Sequence, residues 1–423
     1  MATTDAAARV RAVARVGAQP LPDPERAILR PRHRPGHLGP VSALQIVALE
    51  AAVVLGLLAW RQPSWALPLE LGVAGLLPTV VFARYRGRWW TERLVVRHRY
   101  RQRRSSARLL GDDRRLTALR ELVPDLTVET VAGAGGAPLG VGRDGAGWFA
   151  TLAVAAPGNL RGEAQPLPPI DLLARSVAEA DQPGSVVQVV VHTRPAPTTV
   201  LEADQPCVQS YRELIRAAAG PGTDAAASSV LEQVCWVSVR IEARAMAEIA
   251  VEAPESLGEV PAVLAALVRR VGNVLKRAGF SYRVLDSAGL LDALVHSLAV
   301  DVTAPGAERS SAAEHWRGWR SGRLDHRCQW VRNWPSLAEC APLLTELYQS
   351  PAALTSLSLT LWPGKEGIEF RCLTRIADPP RTVGAAVAAA RVVARRRSAR
   401  LFPLDGEQAP AVYATAPTGG GAL

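Results

Sequence analysis

The chain has 423 residues, of which 48% are hydrophobic and 21% charged, and its net charge is +10. That length exceeds one ordinary domain, and that composition excludes a disordered chain. The five cysteines are odd in number and form no C-x-x-C pair, which excludes a disulfide framework and a zinc ribbon and fits a reducing compartment.

The charge is unevenly placed. Residues 1–40 carry +4, residues 41–83 carry −1, residues 84–115 carry +9, and the rest of the chain −2. A nucleic-acid-binding domain carries its own basic patch. Here the excess flanks one short apolar region instead, so no nucleic acid is expected as a partner. Residues 1–40 read as a flexible basic arm. Val41–Trp60 and Trp65–Ala83 are each close to the ~20 apolar residues that cross a ~30 Å hydrocarbon core as a helix. Only Arg61–Ser64 join them, so residues 41–83 read as an antiparallel transmembrane hairpin. Arginine-rich flanks on both outer sides place both termini, and the bulk of the chain, on the cytoplasmic side of the plasma membrane. Trp60 and Trp65 mark the outer interface, and Tyr85, Trp89 and Trp90 the inner one.

Two acids fall within these spans. Glu50 lies near the midplane of the first, and Glu70 a turn and a half into the second. An ionised acid at the bilayer centre costs roughly 2.5–3.5 kcal/mol, so each is either protonated or turned toward a polar partner. Glu50, Glu70, Gly72 and Gly75 are therefore candidate positions for packing against helices of other subunits. The basic segment 84–115 sets the topology and can also hold anionic lipids, at ~1 kcal/mol per basic residue. The candidate headgroup contacts are Arg84, Arg86, Arg88, Arg93, Arg97, Arg99, Arg101, Arg103 and Arg104. Residues 91–110 are expected to leave the membrane as a basic helix.

Residues 116–400 alternate between helical and extended patterns, which predicts a mixed α/β domain, a mixed sheet with helices. Helices are expected at 116–122, 170–180, 210–219, 260–279, 290–299, 336–348 and 385–397. Strands are expected at 126–133, 148–154, 185–193, within 230–243, at 281–286 and at 327–331. The segments 354–362 and 367–376 read as an antiparallel pair about the turn Pro363–Gly364–Lys365–Glu366. Residues 401–423 read as an irregular tail, and no internal repeat is visible.

No residue pattern marks a catalytic, cofactor-binding or metal-ligating site. Gly140–Gly145 spells GxGxxG, but a strand follows where a dinucleotide site needs a helix, so 143–145 reads as a hairpin turn. Gly364-Lys365 lacks the rest of a P-loop. His315, His326, Cys328 and Cys340 lack the paired spacings of zinc ligands. Ser321, in Gly-Trp-Arg-Ser-Gly, is not a nucleophile elbow. Trp316, Trp319, Trp330 and Trp334 read as core rather than a binding platform. Neither a cofactor nor a small-molecule substrate is expected.

The order of parts — basic arm, two close spans, basic exit, mixed α/β domain — resembles EccE, a core membrane component of the actinobacterial type VII (ESX) secretion system. The resemblance extends to SVVQVVVHTRPAP (185–197), SYRELIRAA (210–218), CWVSVRIEA (235–243), AVLAALVRRVGNVLKRAGFSYRVLD (262–286) and LFPLDGEQAPAVYATAPTGGG (401–421). It implies a non-enzymatic structural subunit that assembles in the plasma membrane with EccB, EccD and EccC, the last an FtsK-like ATPase. The hairpin would dock on that complex and the cytosolic domain would buttress it. The alternatives are a membrane-anchored enzyme with a transferase-like α/β domain and a free-standing anchor for anionic lipids.

Overall fold

The structure, a computed structural model, describes residues 29–32, 37–38, 41–59, 72, 75–76, 79–85, 87–105, 113–156, 166–196, 206, 209–210, 213–214, 217, 230–252, 256–300, 302, 312–364 and 367–421. Strand β1 (Leu29–Pro31) and helix α1 (Ala43–Ala59) come first. The basic helix α2 (Trp90–Ser105) follows, then the short α3 (Arg114–Arg120), where the Asp113 carboxylate accepts from the Arg115 N–H.

The rest of the chain runs through one six-strand arrangement twice, with the short helix α5 present only in the first pass. The first pass is β2 (Thr127–Ala132), β3 (Pro138–Asp144), β4 (Gly147–Ala155), α4 (Ile170–Ala178), β5 (Ser185–Ala196), β6 (Val230–Glu242), α5 (Ala243–Glu252), α6 (Ser256–Arg277), β7 (Ser281–Val284) and α7 (Ser287–Leu298). The second is β8 (Ala313–His315), β9 (Gly318–Ser321), β10 (Leu324–Asn333), α8 (Leu337–Tyr348), β11 (Leu354–Gly364), β12 (Gly367–Asp378), α9 (Val383–Arg396), β13 (Arg400–Pro403) and α10 (Gln408–Ala414). One sheet takes the order β8-β9-β10-β12-β11-β5-β6-β4-β3-β2. In each half the fifth strand lies between the third and the fourth. In each, a late short strand, β7 or β13, pairs antiparallel with the third. The fourth strands, β5 and β11, pair antiparallel with each other, Val191 opposite Leu357, and so join the halves. The domain is thus a topological duplication that the residue pattern does not reveal. β1 adds a parallel strand to β12, Leu29 opposite Ile368.

Helices cover both faces. Val187, Val189 and Val191 of β5 point into the core beneath α4, α6, α8 and α9. Val190 points the other way, into the core with α7 and α10. Burial on both sides explains the β-branched run, interrupted only by Gln188, that predicts this strand. The expected pair at 354–362 and 367–376 is β11 and β12, in register from Leu354–Ala377 to Gly364–Gly367. Of the expected helix 210–219 only residues 210, 213–214 and 217 are described, and these are helical.

The C-terminal region differs from the irregular tail expected of it. It holds β13 and α10, and it continues in turns to Gly421 with Thr415, Ala416 and Thr418 fully buried. Small residues make this approach possible: a Cβ on Gly421 would collide with the Arg240 guanidinium. The Gly-rich stretch before 148 also gains order, as strand β3. Among the described residues no helix is long and apolar enough to cross a membrane. The 17 residues of α1 span about 26 Å at the α-helical rise, short of a hydrocarbon core. Of the second expected span only residues 72, 75–76 and 79–83 are described. Gln45, early in α1, donates to the Val81 carbonyl at 3.3 Å, which brings the start of the first segment beside the end of the second.

Candidate functional site at the junction of the basic helix and the α/β domain

The arginines of the basic segment divide by environment. Arg88 is buried, and its Nη2 lies 2.6 Å from Glu407 Oε2 while Nη1 donates to the Asp405 carbonyl at 3.3 Å. Arg103 grips Glu314 with two hydrogen bonds, 3.1 and 3.0 Å, and donates to the Gly406 carbonyl at 2.7 Å. Glu314 Oε1 also accepts from the Ala409 N–H, in the first turn of α10. Two-point guanidinium–carboxylate geometry fixes orientation as well as distance. Tyr100 meets Trp316 edge-on at 5.5 Å, and Arg332 donates to the Gly87 carbonyl at 3.1 Å. Gly406, at φ +79, admits Trp316 and Val96 where a side chain would strike both. Helix α2 is therefore clamped to β8 and to the segment around α10.

The remaining candidates are placed as follows. Arg97, Arg99 and Arg101 are exposed on α2, as are Trp90, Leu94 and Val95. Arg84 stacks over the Trp89 ring at 3.8 Å, and Arg93 lies 5.7 Å from the Trp316 ring. Trp89 is half-buried against Phe82. Glu50 is exposed on α1, and a Cβ on Gly72 or Gly75 would meet nothing within 4 Å. Trp60, Trp65, Glu70, Arg86 and the Arg104 side chain lie outside the described residues.

A polar cluster holds the C-terminal segment. Arg240, from β6, binds Asp144 through Nη1 at 2.8 Å and Nη2 at 2.5 Å, and donates Nε to the Thr418 carbonyl at 2.9 Å. Tyr413 donates to the same carboxylate at 2.7 Å, and so does the Ala146 N–H at 2.9 Å. Burial pushes the Asp144 carboxyl up, but the Arg240 hydrogen bonds and charge outweigh it and hold the group below its ordinary range. Gln188 accepts from the N–H groups of Thr418 and Gly419 and donates to the Ala414 carbonyl. The GxGxxG stretch serves this packing. Gly142 leaves room for the Phe149 ring, and Gly140 lets the Asp286–Ser287 backbone cross β3.

The second half holds a different cluster on the same face. Arg375, from β12, donates Nη2 to the Ser297 carbonyl and to Ser356 Oγ, while its Nε and Nη1 are buried without a partner. Burial lowers its pKa to about 10. His192 accepts from Arg194 Nε at its Nε2, so its proton sits on Nδ1, 3.0 Å from Ser356 Oγ. Burial, reinforced by Arg375, holds His192 and His326 far below the ordinary imidazole value. Burial also pushes the Cys235 and Cys328 thiols up to about 12, so both stay protonated rather than nucleophilic. Ser321 donates to the Ala299 carbonyl. Among the described residues no group of three or more His, Cys, Asp or Glu is placed to hold a metal. Trp319 is core, as expected, while Trp316, Trp330 and Trp334 are half-buried.

Sequence reasoning missed Glu314, Glu407, Arg240, Arg375 and Tyr413. The readable signal was an arginine between apolar or small residues within a strand, Arg240 in VCWVSVRIE and Arg375 in RCLTRIA.

Together these features define an α/β platform locked to a basic helix, with its polar side chains engaged in holding segments together. Residues 230–331 match the family model described as EccE: Putative type VII ESX secretion system translocon, EccE. The matched region runs from β6 into β10 and so crosses both halves of the duplication. No curated protein matches the chain. A solved structure described as alkyldihydroxyacetonephosphate synthase in P1 is similar over 61% of this chain and 40% of its own, at 9% identity and a TM-score of 0.26. This chain thus spans well under half of that structure's length, and so slight a likeness carries no inference.

Proposed function

We propose that this chain is a structural subunit of the plasma-membrane type VII (ESX) secretion complex. The EccE family region over residues 230–331 carries this reading. In it, residues 41–60 and 65–83 form the membrane hairpin, with both termini cytoplasmic, and the duplicated α/β domain buttresses the complex from the cytoplasmic side. The charge flanks at 1–40 and 84–115 support that topology. The clamp supports the mechanical role: Arg88–Glu407 and Arg103–Glu314 couple the membrane-proximal helix stiffly to the platform, so a load on one is felt by the other. Arg97, Arg99 and Arg101 face outward on α2 for anionic headgroups. Glu50 and Glu70, with Gly72 and Gly75, pack against helices of neighbouring subunits of the EccB, EccC and EccD types. The subunit supplies no catalysis, and the FtsK-like ATPase EccC supplies the energy.

The test is extraction of the tagged full chain in mild detergent and identification of what copurifies at native size. An FtsK-like ATPase and a many-helix membrane partner in a particle far larger than 45.1 kDa are expected. A monomer or homodimer, under conditions that keep other membrane complexes intact, would overturn the reading.

A further inference from the structure

Beside the clamp a cavity of about 430 Å³ opens between α2, β10 and α9. It lies under the second half only. The strand β4 of the first half turns Ala150, Leu152 and Val154 toward its helices, all apolar and buried. Its counterpart β10 turns Arg327, Gln329 and Val331 the same way, and α9 adds Arg391. Arg88, Arg93 and Arg317 complete a lining of five arginines, with Asp405 as its one acid. Glu407 is held by Arg88, and Asp325 lies 3.8 Å from Arg327.

The hydrogen bonds show what is missing. Gln329 is 1% exposed, and its Oε1 accepts from Arg391 Nε at 2.9 Å. That bond fixes the amide, because a flipped side chain would set two donors against each other. Gln329 Nε2 is then buried with no partner, and so is Arg327 Nε. Both unpaired atoms are donors. A buried donor without an acceptor is costly, and a cavity lined with five guanidinium groups against one carboxylate is completed by an anion. Burial lowers the pKa of Arg391; Asp405 opposes the shift, and the neighbouring Arg327 and Arg395 add to it. The planar forks of Arg327 and Arg391 match the spacing of phosphate oxygens. The volume falls within the ~300–1,000 Å³ of ordinary ligand sites, enough for more than one phosphate group.

We propose that this cavity is a binding site for a phosphate-bearing ligand, with Arg327, Gln329 and Arg391 as its floor and Arg317 at its rim. The site stands on these residues alone and does not depend on the secretion reading. A free phosphorylated molecule and a lipid headgroup present the same chemistry. The position beside α2 puts both within reach.

The probe is inorganic pyrophosphate, titrated calorimetrically into the full chain in phosphatidylcholine nanodiscs. Saturable one-to-one binding is expected. The Arg327→Gln/Arg391→Gln double variant should weaken it about tenfold or more, the scale of lost charge-assisted bonds. Gln329→Glu supplies an acid in the cavity, so it should abolish binding and raise the melting temperature by pairing with Arg391. It also keeps the test decisive if the double variant does not fold. Arg277→Gln, far off on α6, should bind as wild type. Repeating the titration with phosphatidylinositol phosphate in the nanodisc separates the sources. Competition means that the headgroup reaches the site, and none means that the ligand is soluble. Absent pyrophosphate binding, or binding unchanged in Gln329→Glu, would overturn the proposal.

Discussion

The two halves of the sheet repeat one topology, yet they treat a buried arginine in opposite ways. Arg240 and Arg375 both rise from the fifth strand of their half toward the face covered by α7, α10 and the C-terminal segment. Arg240 meets a carboxylate, a tyrosine hydroxyl bound to that carboxylate, and a backbone carbonyl. Arg375 meets one carbonyl and serine hydroxyls, and leaves two nitrogens without partners. A duplicated backbone fixes where a strand lies, whereas the side chains decide what the position does. In the first half the arginine is a structural pin. The second half holds its positive charge in reserve, at Arg375 on one face and around the cavity on the other.

The largest effect that would break this comparison is at the pin. Asp144→Ala leaves Arg240 buried and unpaired and should cost about 3–5 kcal/mol, read from denaturant unfolding. A cost near zero would mean that Arg240 escapes to solvent. The second half should respond with the opposite sign. Arg375→Met removes an uncompensated buried cation and should leave stability unchanged or raise it by up to about 4 kcal/mol. Loss of several kcal/mol there would make Arg375 a pin like its counterpart.

Acidity should sharpen the contrast. The unfolded imidazoles take a proton near pH 6.5, whereas the buried His192 and His326 resist it. The unfolded state thus binds more protons as the pH falls below that point, and stability is lost at about 1.4 kcal/mol per pH unit for each histidine. His326→Phe should remove one such increment from the slope of stability against pH. Asp144 acts later. Its folded pKa is depressed, so its contribution is complete above about pH 3.9 and fades as the pH falls through the folded value. Asp144→Asn should flatten only that acid limb.

The smallest effect is at the clamp. Arg103→Gln should cost about 1 kcal/mol, since its side chain is partly exposed. It should speed hydrogen exchange selectively in α2 and around Glu314 and Gly406, leaving β5 and β11 protected. Uniform exchange across the domain would show that α2 is not separately held.

The large features were legible in the residues alone. Apolar periodicity located β4, β5, β6, α6, α8, α9 and the β11–β12 hairpin to within a few residues, because burial on one face or two leaves its own repeat along the chain. The charge map separated the basic segment from the neutral platform. Two of the quoted segments, 235–243 and 262–286, fall within the family-model match over residues 230–331. Tertiary structure alone decided the rest. No pattern in Ala-Thr-Ala-Pro-Thr-Gly-Gly-Gly announces a buried segment, because its order comes from Gln188 and Arg240, far away in sequence. The duplication stayed hidden because Ala150 and Leu152 of β4 are apolar whereas Arg327 and Gln329 of β10, on the corresponding face, are polar. Likewise, Arg88 and Arg103 looked the same as Arg97 and Arg101 until the fold brought Glu407 and Glu314 across about 210 to 320 residues. Local sequence fixes backbone habit and charge, whereas which charge meets which partner is settled only when distant strands are packed.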